Sequence, residues 1–218
     1  MLLDEVLRQA QVLGFFGPGD LRRHQEHAQA FVGLVVAELG PDPPRRFLDL
    51  GSGGGLPGLA LAEALPETPG TLLDSQQRRT AFLEQAVAEL GWGRIEVVNG
   101  RAEDAARDPA HRGQYDLVVA RSFAAPAVTA ECAAGFLGPG GRLIVSEPPS
   151  QGDGGTPGRW DPEGLAELGF DPPNPVVSSG AGATVAILRL PLGAADRWPR
   201  RPGIPNKRPL WSPPPRST

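Results

Sequence analysis

Ten residues, Asp49-Leu50-Gly51-Ser52-Gly53-Gly54-Gly55-Leu56-Pro57-Gly58, join a short apolar run, Arg46–Leu50, to a helical pattern opened by Pro57. A glycine-rich turn between a strand and a helix leaves a chain few architectures. Glycine adopts positive φ without penalty and lets another group approach the backbone closely. The free N–H groups at a helix start attract a negative or polar group. In an open α/β sheet this turn is where a nucleotide-like ligand meets the main chain. A second feature agrees. Asp74 closes the next strand, 23 residues after Gly51, where a carboxylate can accept both hydroxyls of a ribose.

The remaining pattern extends the same architecture. Residues 1–13 read as an amphipathic helix, and residues 20–39 as a helix with Asp20 at its N-cap and Gly40 past its end. Strands are predicted at 71–74, 94–98, 116–120 and 142–147, and helices at 76–90, 125–136 and around 164–168. Gly138-Pro139-Gly140-Gly141 reads as a turn before the fifth strand, and 176–178 with 184–190 as a final strand pair. Alternating strands and helices predict an α/β fold, a doubly wound, mostly parallel sheet. N-terminal helices precede it and a C-terminal antiparallel pair ends it. Three regions follow: a helical extension (1–40), the sheet domain (41–193) and a basic, proline-rich tail (194–218), expected to be partly disordered around Pro213-Pro214-Pro215.

Composition narrows the function classes. The single cysteine, Cys132, excludes a disulfide framework and any cysteine-based metal cluster; it sits mid-helix beside alanines and reads as core. His24, His27 and His111 show no metal-ligand pattern and read as solvent-facing or capping, so no metal is expected. No apolar run is long enough to span a membrane, and the N-terminus lacks the basic start and apolar core of a leader. A cytoplasmic monomer is the expectation. The net charge of −4 hides an asymmetry. From Ala194 onward six basic residues face one acid, so the tail carries +5 and the rest −9.

The glycine spacing separates two ligand classes. Forced into Gly-x-Gly-x-x-Gly, the turn uses Gly51 and Gly53 but places Leu56 at the third glycine. Asp49-x-Gly51-x-Gly53-x-Gly55 fits better and resembles motif I of the class I S-adenosylmethionine-dependent methyltransferases. That resemblance implies cofactor binding by Asp49, Gly51, Gly53, Gly55, Leu56, Asp74 and Ser75, with Ala102 and Glu103 near the adenine. It also allows the acceptor to be sorted by chemistry. The segment Arg121-Ser122-Phe123-Ala124 lacks the Asn/Asp-Pro-Pro-aromatic motif of amino-group methylation. Glu147-Pro148-Pro149 lies one strand too late for it and reads as a strand terminator. Cys132 reads as core rather than as the nucleophile of pyrimidine C5 methylation. With Lys207 alone the chain cannot build the lysine pair used in ribose methylation. A ring nitrogen with a free lone pair needs no base.

More closely, DLGSGGGLPGL (49–59), LDSQQRRTAFL (73–83), GRAED (100–104), ARSFA (120–124) and PRRPGIPNKRPL (199–210) resemble the bacterial 16S ribosomal RNA guanine-N7 methyltransferase G family, also called the glucose-inhibited division protein B family. The resemblance implies methyl transfer from S-adenosylmethionine to a guanine N7 in small-subunit ribosomal RNA. Arg121 and Ser122 would lie at the target base. Arg78, Arg79, Arg200, Arg201, Lys207 and Arg208 would meet RNA phosphates, which position RNA without reading its sequence. The chain departs from the family in its shorter N-terminal part and in Ser146-Glu147-Pro148, where Lys-Gly is common. A methyltransferase of a small molecule or protein, and a non-catalytic ribosome-associated module, are the alternatives.

Overall fold

The computed structural model describes residues 2–17, 19–148, 158–172, 177–178 and 182–212. Helices α1 (Leu3–Val12) and α2 (Leu21–Leu39) come first. Asp20 caps α2 by accepting from the Arg23 N–H at 2.9 Å, and Gly40 ends it at φ +68°. Strands and helices then alternate: β1 (Phe47–Leu50), α3 (Gly58–Ala64), β2 (Gly70–Asp74), α4 (Gln77–Leu90), β3 (Ile95–Asn99), α5 (Ala102–Ala105), β4 (Tyr115–Ala120), α6 (Pro126–Phe136) and β5 (Leu137–Glu147). After α7 (Pro162–Leu168) come β6 (Val177–Ser178), β7 (Thr184–Leu190) and α8 (Ile204–Lys207).

The sheet runs β3-β2-β1-β4-β5-β7-β6. The first five strands are parallel; β7 is antiparallel to β5, and β6 to β7. This is the doubly wound sheet the alternation predicts, with its antiparallel C-terminal pair. Chain order reverses between β1 and β4, so their C-terminal ends face the crevice where such folds bind ligands.

Side-chain alternation along the strands feeds two cores. Leu117 and Val119 of β4 join Phe47, Leu59, Leu72, Phe31 and Val6 under α1 to α4. Val118 and Ala120, one residue out of phase, join Leu48, Leu50 and Leu73 on the opposite face with α6, Trp198 and Trp211. Helix α6 is buried at every position from Pro126 to Phe136. A helix apolar all round needs cover on its outer side as well. Residues 194–212 supply it.

Residues 194–212 form a strap packed on the body. Trp198 and Trp211 are buried, and their Nε1 atoms donate to the carbonyls of Glu167 (3.2 Å) and Arg159 (3.1 Å). Arg112 donates to Trp198 O at 2.7 Å and Arg107 to Pro199 O. The Pro213–Pro215 run lies outside the described residues.

Two smaller differences have clear causes. Gly138–Gly141 lies within β5 rather than before it. Tyr115 pairs with Leu137 and Leu117 with Arg142, so the intervening residues bulge out of the ladder, with Gly140 at φ +79°. His111 is not solvent-facing. It is buried against Tyr115, 2.7 Å from its hydroxyl, which donates to Thr71 Oγ1 at 3.0 Å.

Candidate functional site

The glycine turn is shaped by the acids at the ends of β1 and β2. Asp49 is fully buried. Its Oδ2 accepts from the Gly58 N–H at 3.0 Å and so fixes the start of α3. Ser52 Oγ donates to the Asp49 carbonyl at 3.0 Å. Burial pushes the Asp49 carboxyl up to about 7, against the opposing pull of Ser52, the Gly58 amide and Arg121. Asp74 Oδ2 accepts from the Gly53 N–H and Oδ1 from the Gln76 N–H, each at 2.9 Å. Gly51, Gly53 and Gly55 all have positive φ. A Cβ on Gly51 would lie 2.6 Å from the Phe123 ring. Glycine is therefore needed there on both conformational and steric grounds.

Two cavities meet above this turn. The first, about 400 Å³, is lined by Asp74, Ser75, Gln76, Gly100, Arg101, Ala102, Glu103, Val128, Cys132 and Asn206. The second, about 730 Å³, is lined by Phe15, Phe16, His24, His27, Gly53, Gly54, Leu56, Ser146, Glu147 and Arg159, with Arg121 among them. Gly51, Arg79, Ser122, Phe123 and Ala124 line both. Ser122 sits at φ +55°, alone among the described non-glycine residues in that region. Such a backbone persists only where its surroundings impose it. Arg121 is largely buried. Burial holds its guanidinium below the usual arginine value, and Asp49 partly restores it. Its Nη1 donates to His24 O at 3.4 Å.

Polar groups converge on the larger cavity. His27 Nε2 and Ser146 Oγ lie 3.3 Å apart. Burial, then Arg121 and His24, lower the His27 pKa, which keeps the imidazole neutral at pH 7. Glu147 is engaged by Arg159 at 2.6 Å and by the Trp160 Nε1–H at 3.3 Å. Burial raises its pKa, and those two partners pull it back.

Comparisons with known proteins separate fold from family. Solved structures share the architecture at low identity. A SAM-dependent methyltransferase from Aquifex aeolicus matches with a TM-score of 0.58 and 17% identity, over 84% of this chain and 98% of that one.

 A 1,6-didemethyltoxoflavin-N1-methyltransferase from Burkholderia thailandensis matches with a TM-score of 0.56 and 19% identity, over 86% of this chain and 88% of that one. The family profile described as rRNA small subunit methyltransferase G matches residues 30–147. Proteins named ribosomal RNA small subunit methyltransferase G match over most of the chain. The Rubrobacter xylanophilus protein is 37% identical over 175 residues, 76% of this chain and 65% of that one. The Symbiobacterium thermophilum protein is 36% identical over 192 residues, 85% of this chain and 77% of that one.

The chain belongs to the rRNA small subunit methyltransferase G family. It spans about two thirds of the length of the first relatives, 65% and 67%. Within this methyltransferase G scaffold the site residues read from the sequence divide into three groups. Gly51, Asp74, Ser75, Ala102 and Glu103 line one cavity, and Gly53, Leu56 and Arg121 the other, with Ser122 at their junction. Asp49 and Gly55 lie behind the lining. Asp49 holds the helix start, and Gly55 leaves room for Leu59.

The arginines divide differently. Arg201, Lys207 and Arg208 are exposed on the strap. Arg78 is exposed and lies over the Phe15 ring at 5.4 Å. Arg79 does not point at open surface. It lies 3.5 Å from Asp74 and lines both cavities. Arg200 is held inward. Its backbone N–H and guanidinium donate to the buried Glu131 at 2.8, 2.9 and 2.6 Å. A carboxylate buried in α6 requires that pairing.

The sequence motifs assign no role to three lining groups. Phe123 packs over Gly51 between the cavities. His24 and His27 line the larger cavity instead of facing solvent, and their three-residue spacing on α2 was the available signal. Asn206 enters from the strap. Among the described residues no group of three or more His, Cys, Asp or Glu could hold a metal, and no helix is long and apolar enough to cross a membrane.

Proposed function

We propose that this chain transfers a methyl group from S-adenosylmethionine to the N7 of a guanine in small-subunit ribosomal RNA, as a cytoplasmic monomer. The carrying observation is the junction of two cavities at Gly51, Ser122 and Phe123. The smaller one suits an adenosine. Asp74 stands at the end of β2 to accept ribose hydroxyls, Ala102 and Val128 offer apolar walls, and Gly51 has no Cβ to obstruct the approach. When bound, the cofactor supplies an electrophilic methyl on a sulfonium.

The larger cavity can accept a purine. Guanine N7 carries its own lone pair, and its methylation releases no proton. The cavity accords with that. Glu147 is engaged by Arg159 and Trp160, and His27 by Ser146. Arg121 offers N–H donors that match the O6 acceptor beside N7 while leaving N7 free. Positioning and exclusion of water are then the main tasks. Arg201, Lys207, Arg208 and Arg78 are the exposed cations suited to phosphates.

The test uses purified protein, radiolabelled cofactor and small subunits lacking the modification, with the label mapped by N7-specific strand scission. A single labelled guanine is the expected result. Cofactor binding without transfer to the subunit or its RNA would reject the substrate.

A further inference from the structure

The strap reaches the smaller cavity at one point. Gly203, at φ +80°, donates its N–H to Glu103 Oε1 at 2.8 Å, and Arg101 donates to the same oxygen at 3.0 Å. Burial would raise the Glu103 pKa, but the Gly203 amide, its own amide and Arg101 hold it low. Glu103 is thus a charged anchor whose Oε1 is engaged by protein donors. One turn after Gly203, Asn206 lines the cavity beside Ala102, Glu103 and Cys132. The anchoring is firm on both sides of it. Arg200 grips Glu131, and the Trp211 ring fills space that a Cβ on Gly164 would invade.

The lining holds two side-chain amides, Gln76 and Asn206. Gln76 is tied to the ribose end, because its N–H donates to Asp74. Asn206 belongs to the Glu103 end. An asparagine amide presents one donor and one acceptor side by side, which matches the N6 amino group and neighbouring ring nitrogen of an adenine. At that edge a 6-oxo purine presents two acceptors, O6 and N7, and such an amide can satisfy only one of them.

We infer that Asn206 is a cofactor-binding residue that selects the adenine base, and that the strap carrying it completes the cofactor site, with Glu103 a positioning residue for the strap. This rests on the reading of the smaller cavity as an S-adenosylmethionine site.

The test measures calorimetric affinity of the full chain for S-adenosylhomocysteine and for its 6-oxo analogue, in which hypoxanthine replaces adenine. Wild type and Asn206→Ala are compared, with thermal unfolding as the control for folding. Asn206 is exposed, so the variant is expected to unfold near the wild-type temperature. Expected are a preference of wild type for the adenine ligand and a loss of about tenfold in its affinity in Asn206→Ala. The preference for adenine over hypoxanthine should also collapse. Adenine affinity within about twofold of wild type, or an equal loss for both ligands, would overturn the assignment; an equal loss would mean that Asn206 only holds the strap. Wild type that binds neither ligand would instead reject the cofactor reading itself.

Discussion

Asp49 and Asp74 end neighbouring parallel strands, and their surroundings give them different work. Asp74 lines a cavity and stands 3.5 Å from Arg79, whereas Asp49 lies sealed beneath the turn with Oδ1 unpartnered among the described residues. In the proposed cofactor site Asp74 accepts from two ribose hydroxyls, and Asp74→Ala removes that acceptor. S-adenosylhomocysteine affinity should fall about tenfold to a hundredfold by calorimetry; an unchanged affinity would remove the role. Asp49 makes a prediction in pH. Its folded pKa is raised to about 7, above the ordinary 3.8. Between those values the folded state binds the extra proton, so this group stabilises the protein fully below about pH 4 and the contribution is lost as pH rises to about 7. Asp49→Asn keeps an acceptor for the Gly58 N–H and does not titrate. Its thermal midpoint should therefore vary less across that pH range than the wild type's. A slope identical to wild type would show that Asp49 ionises freely. Asp74 was readable from its strand-end position and Asp49 from its place in the glycine motif. Their difference was not, because it depends on what covers each one.

At the scale of elements the glycine turn and the strap sit at opposite ends of what sequence conveys. The turn is local: Gly51 to Gly58, the strand before and the helix after share one short stretch, so dihedral needs and spacing specify it. The strap is non-local. Its determinants are Glu131, Glu103 and Gly164, which lie far back along the chain from Arg200, Gly203 and Trp211. One clue was present. Helix α6, PAVTAECAAGF, is buried on every face yet contains Glu131. Such a helix demands a second cover, and a glutamate within it demands a cation. The basic, tryptophan-bearing segment beyond residue 194 offers both. Arg200→Ala removes the cation and leaves Glu131 buried without its partner. Denaturant unfolding should show a loss of about 2 to 3 kcal/mol, below the figure for a fully buried pair because a quarter of the Arg200 side chain meets solvent. Adding Glu131→Gln to Arg200→Ala should recover part of that loss. No recovery would mean that the pairing works through packing alone.

For the whole molecule, charge and architecture point to the same face. The sheet domain and N-terminal helices carry −9 and the segment from Ala194 carries +5. Residues 194–212, with five of that segment's six cations, run beside the smaller cavity, which Asn206 lines. An acidic body repels RNA in general, so a cationic strap beside the site can bias approach toward one orientation. Deleting residues 194–218 is a poor test of this, since it would also strip the cover from α6. Replacing the exposed cations is better. The variant Arg201→Gln/Lys207→Gln/Arg208→Gln leaves Trp198, Arg200 and Trp211 in place. It should fold as wild type does and bind S-adenosylhomocysteine with wild-type affinity. Its affinity for small-subunit RNA should fall at low salt. The slope of log affinity against log salt should shrink by roughly 0.7 to 0.9 for each phosphate no longer neutralised, about two units for the three residues. Affinities should then converge with wild type as salt rises, because the missing contribution is the release of counterions. A slope equal to wild type would place the RNA on another face, and the +5 of residues 194–218 would then serve only to offset the acidic body.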